Sequence, residues 1–308
     1  MDISDFRFEQ ACNQHDAGRT QAAIDLLTEL LAEDPDNAAY HGLLASCLIA
    51  EKRLVAAAYE NDIALKQDPS WPFLHEVRAR LLLLNDKADD ALEACDEALR
   101  LDPELTSAHL LKATIYSFKQ DRAAAKASLD AAAALSPGSA SIAIAYGDYF
   151  NEIGEHGKAH ECAAEALRID AGNVEANILM GETQLALGKT DEAINHAKFA
   201  IMQDPASEEA LRLFAHIKMR NNWFIGAWWR FNSWISTLGN AKAALVLIGG
   251  FLGFNLFSVI AGDLGYPGTS RFLSSAWLIL VVYSWVGIPM YRKALDKELA
   301  KFSFNPRF

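Results

Sequence analysis

A period of 34 residues runs through the first two thirds of this chain. Pro35, Pro69, Pro103, Pro137 and Pro205 fall on one lattice, which only Ala171 interrupts. The residue before each point is Asp at Asp34, Asp68, Asp102, Asp170 and Asp204, and Ser at Ser136. Twelve residues upstream of each point stands Ala: Ala23, Ala57, Ala91, Ala125, Ala159 and Ala193. Twelve further upstream the residue is always small: Ala11, Ala45, Ala79, Ala113, Gly147 and Gly181. A fixed period of this size means an array of stacked units, none of which buries its apolar face alone.

Each unit reads as two helices joined by a turn. The small residue lies in the first helix and the Ala in the second, where small side chains let two helix axes cross closely. A further Ala follows seven residues on, at Ala64, Ala98, Ala132, Ala166 and Ala200, with Leu30 in the first unit. It marks the same helix face two turns later. The Asp-Pro pair ends the second helix, because Pro cannot continue a helix and moves its predecessor out of helical angles. Gly18, Gly154 and Gly188 fall in the turn between the helices, where a left-handed residue is cheap for glycine.

This pattern resembles the tetratricopeptide repeat (TPR) family. The resemblance covers about residues 4–207 as six units that begin near 4, 38, 72, 106, 140 and 174, in register without an insertion. Gln14 and Gln184 stand where the family prefers an aromatic residue or Leu, so the terminal units depart most from the pattern. Leu211, Leu213, Phe214 and Ile217 continue a helical periodicity over 208–219, which reads as a capping helix. The expected fold is all-α: a TPR α-solenoid of six helix-turn-helix repeats with a cap over 1–221.

Composition changes at Asn222. Residues 1–220 carry 20 Lys and Arg against 37 Asp and Glu, and residues 221–308 carry 8 against 3. An acidic solenoid lacks the basic footprint that nucleic acid requires. Residues 243–262 and 272–290 hold no charged side chain, and each approaches the ~20 residues of a membrane span. The nine-residue connector 263–271 permits only a tight helical hairpin, so 240–308 reads as a transmembrane hairpin with a basic tail. The alternative is a hairpin buried in a soluble core. Arg220, Arg230 and Lys242 precede the spans, and Arg292, Lys293, Lys297 and Lys301 follow them. Positive charge stays inside, so both termini and the repeats are expected in the cytoplasm. This architecture is similar to that of bacterial inner-membrane TPR proteins with a short hairpin anchor, which implies an inner-membrane location. The amino terminus shows no basic start and no apolar run, so no cleavable signal peptide is expected.

Between repeats and spans, residues 222–239 hold Trp223, Trp228, Trp229 and Trp234. Trp favours the membrane–water boundary, which suggests a helix lying in that interface or, alternatively, packed on the last repeat. Gly249 and Gly253 form a small-xxx-small face, and Asn255 adds a polar group, as in helices that associate in lipid. No ionisable residue falls within either span, which argues against a transporter or proton path.

The residues offer no chemistry. There is no phosphate-binding glycine loop, nucleophile elbow or paired zinc motif. His41, His75 and His109 repeat at one station per unit, too far apart to share a metal ion, and read as packing groups. His156, His160, Cys162 and His196 have some metal spacing but no acidic support around them. Cys12, Cys47, Cys95 and Cys162 are scattered and read as buried thiols of a reducing compartment. The chain is therefore expected to be no enzyme and to need no cofactor or metal.

The resemblance implies that first helices line a groove that holds a protein or peptide. Its positions in the middle units are Glu76, Arg80, Leu110, Thr114, Phe118, Ile144, Asp148, Asn151, Ile178, Glu182 and Leu185, of which about half should only pack between units. The Lys and Asn pair by which many such domains hold a carboxyl terminus is absent from the equivalent positions. The groove is instead apolar with acids at its edge, which suits an apolar partner segment with basic residues. Anionic headgroups would repel the acidic repeats. The expected roles are a membrane-anchored adaptor or, alternatively, an assembly or regulatory subunit of a membrane complex that binds through the hairpin. The Gly249 and Gly253 face suits the hairpin itself, a second copy of the chain or a membrane partner, so a homo-oligomer and a membrane-protein complex both stay open.

Overall fold

The computed structural model describes residues 3–205, 207–221, 252–253, 255–272 and 275. Five pairs of helices occupy the first unit. The first helices are α1 (Ile3–Asp16), α3 (Ala38–Ala50), α5 (Pro72–Leu84), α7 (Thr106–Phe118) and α9 (Ala140–Glu152). The second helices are α2 (Thr20–Glu33), α4 (Leu54–Gln67), α6 (Ala88–Leu101), α8 (Arg122–Leu135) and α10 (His156–Ile169). A second compact unit begins at Asp170 and contains α11 (Val174–Ala186), α12 (Thr190–Gln203) and α13 (Glu208–Asn221). The division falls at the one lattice point without proline, Ala171. No strand occurs among the described residues.

The lattice residues do what their size demands. The six second-helix Ala residues, from Ala23 to Ala193, are all fully buried. The small residues opposite them are buried too, including Gly147 and Gly181. A Cβ on Gly181 would sit 2.7 Å from Leu213 Cδ2, so a larger residue there would make Leu213 of the cap helix shift. Each second helix stops at its Asp or Ser, and the Asp has a second task. Asp68, Asp102 and Asp170 each accept, through Oδ1, the backbone N–H two residues on, at 3.0, 3.0 and 2.9 Å. This Asx turn redirects the chain into the next repeat, and it persists at Asp170 where proline is missing.

All six turns between paired helices end in the same backbone motif. The N–H of Arg19, Arg53, Lys87, Asp121, Glu155 and Lys189 each returns to the carbonyl five residues back. The residue before each of these is left-handed: Gly18, Lys52, Asp86, Gln120, Gly154 and Gly188. This is the Schellman closure, and it favours glycine. Lys52, Asp86 and Gln120 hold φ of 58°, 59° and 60° without being glycine. Gln120→Gly is expected to stabilise the chain by about 1 kcal/mol, since it removes the left-handed penalty of a side chain. Thermal unfolding checks this, and an unchanged or lower Tm would refute it.

Within the first unit, successive first helices pack against one another, α1 on α3, α3 on α5, α5 on α7 and α7 on α9. They therefore form the tighter, inner side of this stack, and the second helices form its outer side. In the second unit α13 packs on both α11 and α12 through Ala210, Leu213, Phe214 and Ile217, as a cap should.

A short helical turn closes near the carboxyl end. Residues 255–263 are helical, Gly265 has φ of 82°, and helix resumes at Pro267. The connector expected over 263–271 is thus shorter, because a Schellman closure at Gly265 and a proline at the first helical position turn the chain in three residues. Ser258 Oγ donates to the Ser270 carbonyl at 2.8 Å across this turn. Among the described residues no helix is long and apolar enough to cross a membrane. Only 252–253 and 255–262 of the first expected span and Phe272 and Ser275 of the second are described. Trp223, Trp228, Trp229, Trp234 and Gly249 lie outside the described residues, whereas Gly253 and Asn255 are described and helical.

Candidate functional site

The inner face of the first unit is closed at one end and open at the other. Residues Tyr40 to Leu48 of α3 are buried on every side, which leaves no ligand face on the second repeat. From one side His15 covers α3, with Nε2 3.1 Å from Ser46 Oγ and Nδ1 3.5 Å from Cys47 Sγ. Burial lowers the His15 pKa below that of a free imidazole. From the other side Trp71 and Phe73, ring centroids 5.2 Å apart, lie over Gly42. A Cβ on Gly42 would meet Leu74 Cδ2 at 2.5 Å, so the missing side chain is what lets α5 close down on α3.

Glu76 belongs to this closure. It is only 4 % exposed, it accepts from Arg80 Nη2 at 2.8 Å, and it accepts from Ser107 Oγ at 2.5 Å. A carboxylate buried this deeply is held by those two donors and joins the third repeat to the fourth. Of the eleven groove positions expected, Glu76 therefore sits in packing, and so does Ile178, buried in the core of the second unit.

The face opens at α7 and α9. Phe118 is 55 % exposed, and Leu84, at the same station one repeat earlier, is 50 % exposed. Leu110 and Ile144 are half-buried beside them, and Thr114 and Asp148 are exposed. Arg80 is partly exposed at the border. Asn151 holds His156 through Oδ1 to Nδ1 at 2.8 Å. Leu84 went unnoticed in the sequence because a Leu at a helix end looks like core. Its equivalence to Phe118 on the lattice was the available signal.

In the second unit Leu185 is half-buried, and Glu182 keeps access to solvent although its carboxyl lies among neighbours that strip part of its water. Desolvation and the nearby Glu209 raise the Glu182 pKa, and Arg212 opposes them.

The histidine series has a structural task. His75 and His109 each donate from Nε2 to the carbonyl of the lattice proline six residues earlier, at 2.8 and 3.2 Å. His41 does the same to Pro35 at 2.8 Å, and Asn177 takes this role toward Ala171. Among the described residues no three His, Cys, Asp or Glu groups are placed to hold a metal ion.

The thiols are quiet. Burial pushes Cys47 and Cys95 up to about 12 and also raises Cys12 and Cys162. A thiol held protonated reacts slowly with alkylating agents. Iodoacetamide at neutral pH should spare Cys47 and Cys95 until denaturant is added. Mass spectrometry showing rapid native labelling of either would contradict their burial.

The architecture and its open inner face define a class, the helical repeat solenoid. Two stretches, residues 14–81 and residues 106–139, match models of the tetratricopeptide repeat. The chain carries tetratricopeptide repeats. No curated protein matches the sequence. Among solved structures it is similar to a chain of the APC/C hetero-tetramer Cut9-Hcn1, at 15 % identity and TM-score 0.62, covering 89 % of this chain and 53 % of that one. It is also similar to PilW, a widely conserved type IV pilus biogenesis factor, at 18 % identity and TM-score 0.52, covering 69 % and 99 %. Pseudomonas aeruginosa pilF shows 20 % identity and TM-score 0.47 over 69 % and 97 %. At these identities the likeness concerns the fold alone.

Proposed function

We propose that this chain is a scaffold that holds a protein or peptide partner on the inner face of α7 and α9 and is tied to a bacterial inner membrane by its carboxyl-terminal part. The observation that carries the first half is the exposure of Phe118 and Leu84 at equivalent stations, beside half-buried Leu110 and Ile144. Large apolar side chains left open on an ordered scaffold are the usual mark of a partner surface. The acidic edge suits a partner segment with basic residues, whose association would be steered by charge.

The membrane half rests on the two uncharged runs, their basic flanks and the four Trp residues. The exposure of Leu252, Leu256, Phe257 and Val259 supports it, since exposed apolar side chains on a helix suit lipid. In this reading the repeats and both termini are cytoplasmic, and the role is that of an adaptor without catalysis.

A photo-crosslinking residue at position 118 of the full chain, in native membranes, tests the inner face against position 127 on the outer side. Adducts should form at 118, not at 127, and should disappear with Leu84→Asp. Equal labelling at both positions would overturn the inner-face reading. Alkaline carbonate should leave the chain in the membrane pellet, and its release would overturn the anchor.

A second reading makes the carboxyl-terminal part itself the contact, as in an assembly subunit of a membrane complex. A Cβ at Gly253 would meet nothing within 4 Å, so at this position another helix could approach closely. Crosslinks through position 253 with none through 118 would favour it.

A further inference from the structure

The outer side of the first unit carries a control within itself, because every repeat presents the same stations. Two stations of the second helix, one turn apart, are exposed in all six repeats. The first holds Gln21, Val55, Asp89, Ala123, Gly157 and Asp191 in the six repeats, and the second holds Asp25, Tyr59, Glu93, Ala127, Glu161 and Asn195. Five repeats place acids, amides, Ala or Gly there, as an outer surface facing water should. The second repeat alone places large apolar side chains, and both stand in solvent: Val55 is 89 % exposed and Tyr59 is 66 % exposed. One turn of helix separates them, so they form a single projecting ridge on α4.

Nothing in the fold of the repeat calls for that ridge. The buried side of α4 is supplied by Ala57, Asn61 and Ala64. Val55 and Tyr59 point away from it.

The charges around the ridge state what would cover it. On one side α2 carries Asp25, Glu29 and Glu33 and no base, and on the other α6 carries Asp89, Asp90, Glu93, Asp96 and Glu97 with the single base Arg100. The bond network offsets part of this: Arg7 holds Glu29 and Glu33, Lys112 holds Asp96, and Lys119 holds Asp89. On α4 itself Glu60 and Asp62 face Lys66, and Glu60 is engaged by His41. Bases otherwise gather at the amino ends of these helices, at Arg19, Lys52, Arg53 and Lys87. Arg100 also holds Glu97, so Asp25, Asp90 and Glu93 are the acids outside these ion pairs on the second helices of the repeats before and after the ridge. An apolar ridge with such acids on the adjacent repeats disfavours an anionic bilayer and suits a cationic amphipathic surface.

We propose that Val55 and Tyr59 are the anchor of a second docking surface, on the outer side of α4, for a protein segment with an apolar stripe bordered by Lys or Arg. Exposed aromatic residues make strong anchors, because a partner can bury them without paying much conformational entropy. The surface is separate from the inner face and stands or falls independently of it.

The probe is a synthetic amphipathic helix with a Leu and Trp stripe and Lys elsewhere, added to the purified full chain. Its control is the same peptide with Glu for every Lys. Fluorescence anisotropy should show binding of the Lys peptide only, weakened by added salt. The double variant Val55→Ser with Tyr59→Ser should lose roughly tenfold or more in affinity, with an unchanged melting curve, since both residues are exposed. Ala127→Ser, at the station of Tyr59 two repeats on, should bind like the parent chain. The proposal is overturned if the Glu peptide binds equally, if the double variant binds as before, or if only Phe118→Ser weakens binding. It is also overturned if sedimentation shows the chain self-associating through this ridge, with the double variant monomeric, because the occupant would then be a second copy.

Discussion

Phe214→Ala is expected to destabilise the second unit by roughly 3–5 kcal/mol, the cost of emptying a fully packed aromatic site. Phe214 is buried in one cluster with Ile178, Ala197, Ile201, Leu213 and Ile217, which joins α11, α12 and α13. The last repeat would otherwise leave the apolar side of its helices in water, and stacked arrays depend on such end caps. Urea unfolding measures the loss, and hydrogen exchange locates it: protection should fall in α11, α12 and α13 and hold in α5 to α8. A loss below about 1 kcal/mol would mean that α13 does not close the array.

Glu76→Ala should cost about 3 kcal/mol, because it leaves Ser107 and the Arg80 guanidinium without their acceptor. Arg80 is partly exposed, so water takes up some of that cost, and the loss stays below that of a fully buried ion pair. Glu76→Gln keeps one acceptor oxygen and removes the charge, so its loss should be smaller. Denaturant midpoints of the two variants give the order. If Gln proved as harmful as Ala, the charge rather than the hydrogen bonds would hold the third and fourth repeats together.

The lattice was legible because its residues are chosen by size. An Ala that must fit between two helix axes shows its burial in the sequence, as Ala23, Ala91 and Ala159 do. The turns were only half legible. Gly18, Gly154 and Gly188 announce a left-handed residue, whereas Lys52, Asp86 and Gln120 adopt it under the pull of the surrounding closure and give no sign of it. The capping role of α13 followed from the periodicity of Leu213, Phe214 and Ile217. The inner face was least legible. The station of Glu76 lines a groove by resemblance, but whether it faces a ligand depends on what the neighbouring repeats place opposite. Here Ser107 and Arg80 bind it inward, and Gly42 lets Trp71 and Phe73 shut the repeat before it. The bond from Ser107 and the cover of Trp71 and Phe73 over Gly42 are contacts between units, and a pattern within one unit does not contain them.

Within the first unit, the closed α3 sets one end of the proposed inner-face site. With that helix sealed, the open stretch runs across the end of α5, α7 and α9, two interhelical steps of roughly 10 Å each. Twenty ångströms is about six residues of extended chain or about thirteen of helix. In the proposed reading, a short linear motif would fill the part of the site that belongs to the first unit.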